Sequence, residues 1–221
     1  MHYLSKGFLP FKRGNKMSHY FTNEDLVSNI VEINVNILEK DFIFYSDNGV
    51  FSKKKLDFGS RTLIKSLLEE KLSGTLLDVG CGYGVIGIIL SSFFELETDM
   101  IDINKRAVHL ANRNIKKNKL KNIKAYESDI YSNVSSKYDF IVTNPPIRAG
   151  KEVVYKILFS CKEYLNPYGT LYFVINKDQG AKSAIKDLSV IGKLEVLNKN
   201  KGFYVIKCQF DWLVANFYDL I

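Results

Sequence analysis

The sequence predicts an α/β fold built on a Rossmann-like, mostly parallel sheet of seven strands with helices on both faces, and three observations carry that prediction. From residue 59 onward short apolar runs alternate with helical patterns, which is how a parallel sheet covered on both faces is written in sequence. The first of these runs ends in a glycine-rich turn, Asp78-Val79-Gly80-Cys81-Gly82-Tyr83-Gly84. The last two runs flank a turn, Asn198-Lys199-Asn200-Lys201-Gly202, so the sheet closes on a C-terminal hairpin with an antiparallel strand.

Residues 1–16 read as an N-terminal extension, 17–58 as an N-terminal unit, 59–210 as the main domain and 211–221 as a tail. In the N-terminal unit Val31, Ile33, Val35 and Ile37, then Phe42 and Phe44, alternate with polar residues, and Asp47-Asn48-Gly49 supplies a turn. An antiparallel strand pair is expected there. A helix then places Leu63, Ile64, Leu67 and Leu68 on one face. The alternation continues as strand 76–79, helix 85–92, strand 98–103, helix 105–117, and strands 123–127 and 138–143. Helix 153–165, strand 171–175, helix 180–188 and strands 193–197 and 203–209 complete it.

The bulk composition fits one domain. A chain of 221 residues with 46% hydrophobic content buries one sizeable core. No apolar run approaches the roughly 18 residues of a membrane span, and the apolar patch at 8–11 is too short for a signal-peptide core. The expectation is a cytoplasmic protein with no membrane partner. Cys81, Cys161 and Cys208 show neither metal-ligand spacing nor a disulfide framework, so they are read as buried small hydrophobes, with no metal. The net charge is +7. Residues 17–221 hold 27 basic against 24 acidic side chains, a mild excess concentrated at Lys53, Lys54 and Lys55 and from Lys105 to Lys124. Such a run fits a solvated helix face and a phosphate-contact surface equally well.

Four sites carry the chemistry. Glycines at 80, 82 and 84 stand where a strand turns into a helix, so backbone can approach a ligand closely and offer free N–H groups. Asp102, followed by Ile103, ends the second strand, where a carboxylate accepts from both hydroxyls of an adenosine ribose. Asp129, followed by Ile130, comes just after the third strand, suited either to an adenine amino group or to capping a helix. These features are shared with NAD enzymes. Asn144-Pro145-Pro146-Ile147, after the fourth strand, is not. Its prolines fix the backbone, so the Asn144 side-chain oxygen and the Pro145 carbonyl can grip the two hydrogens of a planar amine. They thereby aim its lone pair at an electrophilic methyl group and stabilise the positive charge that develops.

With these residues in hand, the chain resembles class I S-adenosylmethionine-dependent methyltransferases, and more narrowly the short single-domain members of the small-subunit ribosomal RNA guanine-N2 methyltransferase family. The resemblance runs over about residues 17–209. It rests on His19-Tyr20-Phe21, Gly49-Val50-Phe51-Ser52-Lys53, Asp57-Phe58-Gly59-Ser60-Arg61 and Asn144 through Lys151, with Gln179-Gly180-Ala181-Lys182-Ser183 and Lys201-Gly202-Phe203-Tyr204 downstream. It implies S-adenosyl-L-methionine as cofactor, held by Asp78, Gly80, Gly82, Gly84, Asp102, Ile103, Asp129, Ile130 and Asn144. It implies Asn144, Pro145 and Pro146 as the catalytic turn, and a guanine amino group of 16S ribosomal RNA in the small ribosomal subunit as target.

The strand pair then becomes a cover on the substrate side. Many amino-methyltransferases carry an aromatic residue where this chain has Ile147, so Ile147 supplies apolar contact and Phe21 or Phe51 the stacking. Arg148 and Lys151 are placed to hold the phosphates flanking a flipped base, whose extrusion costs a few kcal/mol. Trp212 and Phe217 in the tail are suited to cover the chain's own surface or a second copy in a homo-oligomer. Three other readings compete: a protein glutamine methyltransferase, an NAD-dependent oxidoreductase, and a non-catalytic RNA-binding or ribosome-assembly module on the same fold.

Overall fold

A computed structural model of the chain describes residues 27–53 and 55–211. The expected extension at 1–16, the block at 19–21, Lys54, and Trp212 and Phe217 of the tail lie outside the described residues. The main sheet comprises β3 (Gly74–Val79), β4 (Leu96–Asp102), β5 (Ile123–Glu127), β6 (Tyr138–Thr143), β7 (Leu165–Asn176), β8 (Gly192–Asn200) and β9 (Phe203–Phe210). Their spatial order is β5-β4-β3-β6-β7-β9-β8. All run parallel except β9, which is antiparallel to both β7 and β8.

Helices α1 (Phe58–Leu67), α2 (Val85–Phe93) and α3 (Lys105–Lys117) share one apolar cluster on one face, and α4 (Lys151–Ser160) and α5 (Ala181–Leu188) share another on the opposite face. β7 feeds both clusters, Tyr172 and Val174 to the first and Leu171, Phe173 and Ile175 to the second. Burial on both faces explains its unbroken apolar sequence. Among the described residues no helix is long and apolar enough to cross a membrane.

The strand pair is β1 (Val31–Ile37) with β2 (Lys40–Ser46), antiparallel, with Ile33 opposite Phe44 and Val35 opposite Phe42. An isolated two-stranded ribbon is marginal in water; this one is held by a helix. Asn114 of α3 accepts from the Tyr45 N–H at 2.7 Å and donates to the Tyr45 carbonyl at 2.9 Å. Asn118, the C-cap residue, does the same for Ile43 at 3.2 and 2.8 Å. Residues four apart on a helix rise about 6 Å, and alternate strand residues are about 6.8 Å apart. The two side-chain amides therefore pair with the outer edge of β2 as a neighbouring strand would.

Three boundaries depart from the sequence reading by more than two residues. The helix expected at 153–165 ends at Ser160, and Cys161–Tyr164 tighten into a 3₁₀ turn whose Tyr164 ring stacks on Tyr131 at 4.5 Å. β7 begins at Leu165, not 171, because Tyr138 pairs with Leu165 and Phe140 with Thr170, which loops out Asn166, Pro167, Tyr168 and Gly169. Pro and Gly in a strand interior mark such an irregularity. The hairpin turn is only Lys201-Gly202, both at positive φ (46° and 84°), the primed two-residue geometry that matches strand twist.

Candidate active site

The C-terminal ends of β3, β4, β5 and β6 meet at one rim of the sheet, where open α/β sheets bind their ligands. The glycine loop leaves β3 there. Its Gly80 and Cys81 N–H groups both donate to the Ile101 carbonyl at 2.9 Å, pinning the loop to β4. Gly80 and Gly82 hold φ of 71° and 57°, and a Cβ on either would meet nothing within 4 Å. The space over the loop is open, and side chains are excluded from it by backbone geometry. Gly84 has the opposite surroundings: a Cβ there would crowd Ile88, Met100 and Ala111 at 3.1–3.2 Å.

Asp78 is fully buried. One carboxylate oxygen accepts from the Gly87 N–H at 2.9 Å, and the other has no partner among the described residues. Burial, aided by the nearby charge of Asp102 and only partly offset by the Gly87 bond, pushes its pKa up to about 7. Asp102 accepts from the Gly82 N–H and the Asn104 N–H, each at 2.8 Å. Burial still holds this carboxyl above its usual range.

Ser128 N–H donates to the Asp102 carbonyl at 3.0 Å, which sets the β5 exit beside Asp102. No helix follows β5, so Asp129 is not a helix cap; it is exposed, and its carboxylate has no partner among the described residues. Ile130 holds φ at 54°, unusual for a β-branched residue. The Ser128 hydroxyl fixes it by donating to the Ile130 carbonyl at 2.8 Å and accepting from the Asn133 N–H at 3.1 Å.

β6 delivers the proline turn. Thr143 Oγ1 donates to the Val79 carbonyl at 2.8 Å, so Asn144 emerges next to the glycine loop. The Asn144 amide nitrogen donates to Asp57 Oδ1 at 3.2 Å and to Ser60 Oγ at 3.0 Å. Asp57 is the N-cap of α1 and also accepts from the Ser60 N–H at 2.9 Å. Neither the Asn144 side-chain oxygen nor the Pro145 carbonyl accepts a hydrogen bond from the described residues. The Pro146 carbonyl takes the Ala149 N–H at 2.9 Å, turning Ile147–Ala149 into a 3₁₀ turn. Ile147 borders a cavity of about 190 Å³ whose rim includes Lys151, Tyr155, Gln179 and Ser183. Arg148 and Lys151 are exposed, and the Lys151 ammonium lies 4.6 Å from the Tyr155 ring centre.

The structure thus gathers Asp78, Gly80, Gly82, Asp102, Ile103, Asp129, Ile130 and Asn144 to Ile147 at one rim. Phe51, 63% exposed, follows a loop anchored at the start of α3, where Asn104 Nδ2 donates to the Gly49 carbonyl and Arg106 to the Asn48 carbonyl, both at 3.0 Å. The same loop ends at Asp57, beside Asn144. The other stacking candidate, Phe21, lies outside the described residues. Sequence reasoning gave Asp57 and Ser60 no individual role; an Asp preceding a helical pattern is the one local signal they carry.

The family described as the methyltransferase small domain matches residues 41–207. The uncharacterized protein YbxB of Bacillus subtilis is 49% identical over 196 residues, 86% of this chain and 98% of that protein. Ribosomal RNA small subunit methyltransferase C of Haemophilus influenzae (strain PittEE) is 35% identical over 142 residues, 62% of this chain but 42% of that enzyme. The Vibrio vulnificus enzyme of the same name is 37% identical over 147 residues, again 42% of its length. The similarity therefore spans less than half of these two enzymes. Among solved structures, the T. thermophilus 16S rRNA N2 G1207 methyltransferase, in complex with AdoMet and guanosine, shares the fold with a TM-score of 0.74. The identity is 24%, over 82% of this chain and 51% of that one.

Proposed function

The chain belongs to the methyltransferase small domain family, its cofactor is S-adenosyl-L-methionine, and on that premise we propose that it methylates the exocyclic amino group of a guanine in 16S ribosomal RNA, presented by the small ribosomal subunit. The observation that carries this reading is a pair of acceptors, Asn144 Oδ1 and the Pro145 carbonyl, that no donor among the described residues engages, beside an open glycine loop. The names of the ribosomal RNA methyltransferases it resembles support the choice of substrate.

The residues present fit the cofactor. A buried carboxylate oxygen without a partner on Asp78 and open space over Gly80 and Gly82 suit a cationic ligand brought close to backbone. Asp102 would accept from the ribose hydroxyls, with Ile103, Asp129 and Ile130 at the adenine side and Gly84 shaping the loop from beneath. When bound, S-adenosyl-L-methionine supplies an electrophilic methyl group on a sulfonium sulfur.

The protein's part is to prepare the amine. A guanine amino group is a weak nucleophile because its lone pair is conjugated with the ring. Asn144 Oδ1 and the Pro145 carbonyl accept its two hydrogens and turn the lone pair out of conjugation; Pro146 holds the turn. As the nitrogen gains positive charge, these fixed acceptors stabilise it without reorganising, and the proton leaves afterwards to water. Ile147 and Phe51 would give the base its apolar contacts, and Arg148 and Lys151 its flanking phosphates.

Transfer of labelled methyl from S-adenosyl-L-methionine to undermethylated small subunits, naked 16S ribosomal RNA and a pool of bulk protein tests this reading. Label is expected in RNA. Label in protein would move the assignment to a side-chain amide such as glutamine, and binding of cofactor with no transfer to any acceptor would favour a non-catalytic RNA-binding role.

A further inference from the structure

We infer that Asp57 and Ser60 are positioning residues for the methyl transfer, acting through Asn144 by fixing which end of its side-chain amide faces the amine. The inference rests on the role proposed for Asn144. The two ends of a primary amide are almost the same size. An Asn144 turned over by 180° would present an NH₂ group to the substrate amine, donor against donor, and the grip would be lost. The acceptor-only Asp57 carboxylate settles the orientation, and the Ser60 hydroxyl, which can donate or accept, makes the second contact. The amide nitrogen lies 3.2 Å from Asp57 Oδ1 and 3.0 Å from Ser60 Oγ, so each of its hydrogens has its own partner. An ionised carboxylate only accepts; in the flipped state a carbonyl oxygen would stand against it. The Asn144 oxygen is therefore left pointing away from α1, free of any donor among the described residues.

Asp57 is itself held in place. It caps α1, accepting the Ser60 N–H at 2.9 Å, and its negative charge sits at the positive end of that helix. The two acceptors are thus one turn of one helix end, not two independent side chains. Ser60 is 4% exposed, so its hydroxyl has almost no surface to offer a substrate and serves Asn144 instead. Gly59 lies between them in close quarters, with a Cβ there falling 3.1 Å from the Phe203 ring and 3.2 Å from Asp57 Oδ1. Phe58 packs against Phe203 with ring centres 5.6 Å apart, which fastens this helix end to the start of β9. The Asp57 charge has a second effect: it polarises the Asn144 amide and makes Oδ1 a stronger acceptor where positive charge develops.

The test compares Asp57→Asn, Ser60→Ala, Asn144→Ala and the double variant Asp57→Asn/Asn144→Ala. Asn is as good an N-cap as Asp, so Asp57→Asn keeps α1 capped while removing the charge and the acceptor-only character. Single-turnover methyl transfer to undermethylated small subunits is expected to fall roughly 10- to 100-fold in Asp57→Asn and by less in Ser60→Ala, while cofactor Kd and Tm stay near wild type. The double variant should be no slower than Asn144→Ala alone, because partners acting through one group do not add. Additive losses, or a loss of cofactor affinity or Tm matching the loss of rate, would reduce Asp57 to a helix cap and overturn the inference. Wild-type transfer by Asn144→Ala would remove the premise along with it.

A second readout needs no RNA. In ¹⁵N spectra of the protein bound to S-adenosylhomocysteine, the Asn144 side-chain amide, assigned by its loss in Asn144→Ser, should show two resolved hydrogens slow to exchange. These should shift in Asp57→Asn and Ser60→Ala. An averaged, unprotected amide indifferent to both changes contradicts the inference even if the RNA substrate proves wrong, and a protected one sustains it.

Discussion

At the scale of single residues, Asp78 combines complete burial with an oxygen that no group among the described residues satisfies, and this gives the ligand-free protein a measurable pH dependence. Its pKa is raised to about 7 by burial, against about 3.9 in an unfolded chain. Between those values the folded protein holds a proton that the unfolded chain has released, so stability falls as pH rises from about 4 to 7 and then levels off. Asp78→Asn should flatten that slope, leaving the part that the raised Asp102 carboxyl contributes, which Tm of the cofactor-free protein between pH 5 and 8 would reveal; an unchanged slope would place the titrating group elsewhere. Asp78, Asp102 and Asn144 were legible in sequence because each ends a strand and is marked by glycine or proline neighbours or by spacing. Asp57 and Ser60 were not legible as partners of Asn144. They lie 87 and 84 residues away, and only the crossing of α1 over the sheet brings them together.

Among the elements, α3 does the most to join the strand pair to the main domain. Its boundaries at 105–117 were expected from the sequence and are observed, with Asn104 as N-cap accepting from the Arg106 N–H at 3.0 Å. Its asparagines were hidden in a basic, polar run that reads as a solvated face. Asn114 is fully buried and also donates to the Tyr83 carbonyl at 2.8 Å, so it ties β2, α3 and the glycine loop together. Asn114→Ala improves intrinsic helix propensity but strands the backbone groups of Tyr45. A net destabilisation of about 1–3 kcal/mol is expected, checked by denaturant unfolding. The Tyr45 amide should lose hydrogen-exchange protection at the same time, and a stabilised variant would contradict the edge-pairing role. Strand β8, read as 193–197, was cut short in the sequence reading for a related reason. Edge strand β8 carries Asn198, Lys199 and Asn200, which resemble a loop when their pairing to β9 is unseen.

On the scale of the whole molecule, residues 103–126 carry eight Lys and Arg and no Asp or Glu. The mixed signal in the sequence, solvated face or phosphate surface, is sharpened by what packs there. Arg106 pairs with Asp47 and Lys124 with Asp99, and the Arg113 guanidinium lies 3.8 Å from the Tyr45 ring centre. Lys116, Lys119 and Lys121 are exposed, with no carboxylate in ion-pair range among the described residues. If this face contacts phosphates, replacing Lys116, Lys119 and Lys121 with Glu should lower the slope of log affinity against log salt by about 2–3, with cofactor affinity unchanged. An unaltered slope would return these lysines to solvent. The mostly parallel sheet followed from the alternation of elements and its lone antiparallel strand from the C-terminal hairpin signal, whereas the strand order is seen only in the structure. The docking of the strand pair did not, because it depends on side chains of a distant helix. The proposed guanine-N2 methylation is tested most directly by its product. Nucleoside analysis of 16S ribosomal RNA methylated by the wild type and by Asn144→Ala should find N2-methylguanosine with the first, and a loss of roughly 10²- to 10³-fold with the second. A carbon-methylated base, or undiminished product from Asn144→Ala, would contradict it.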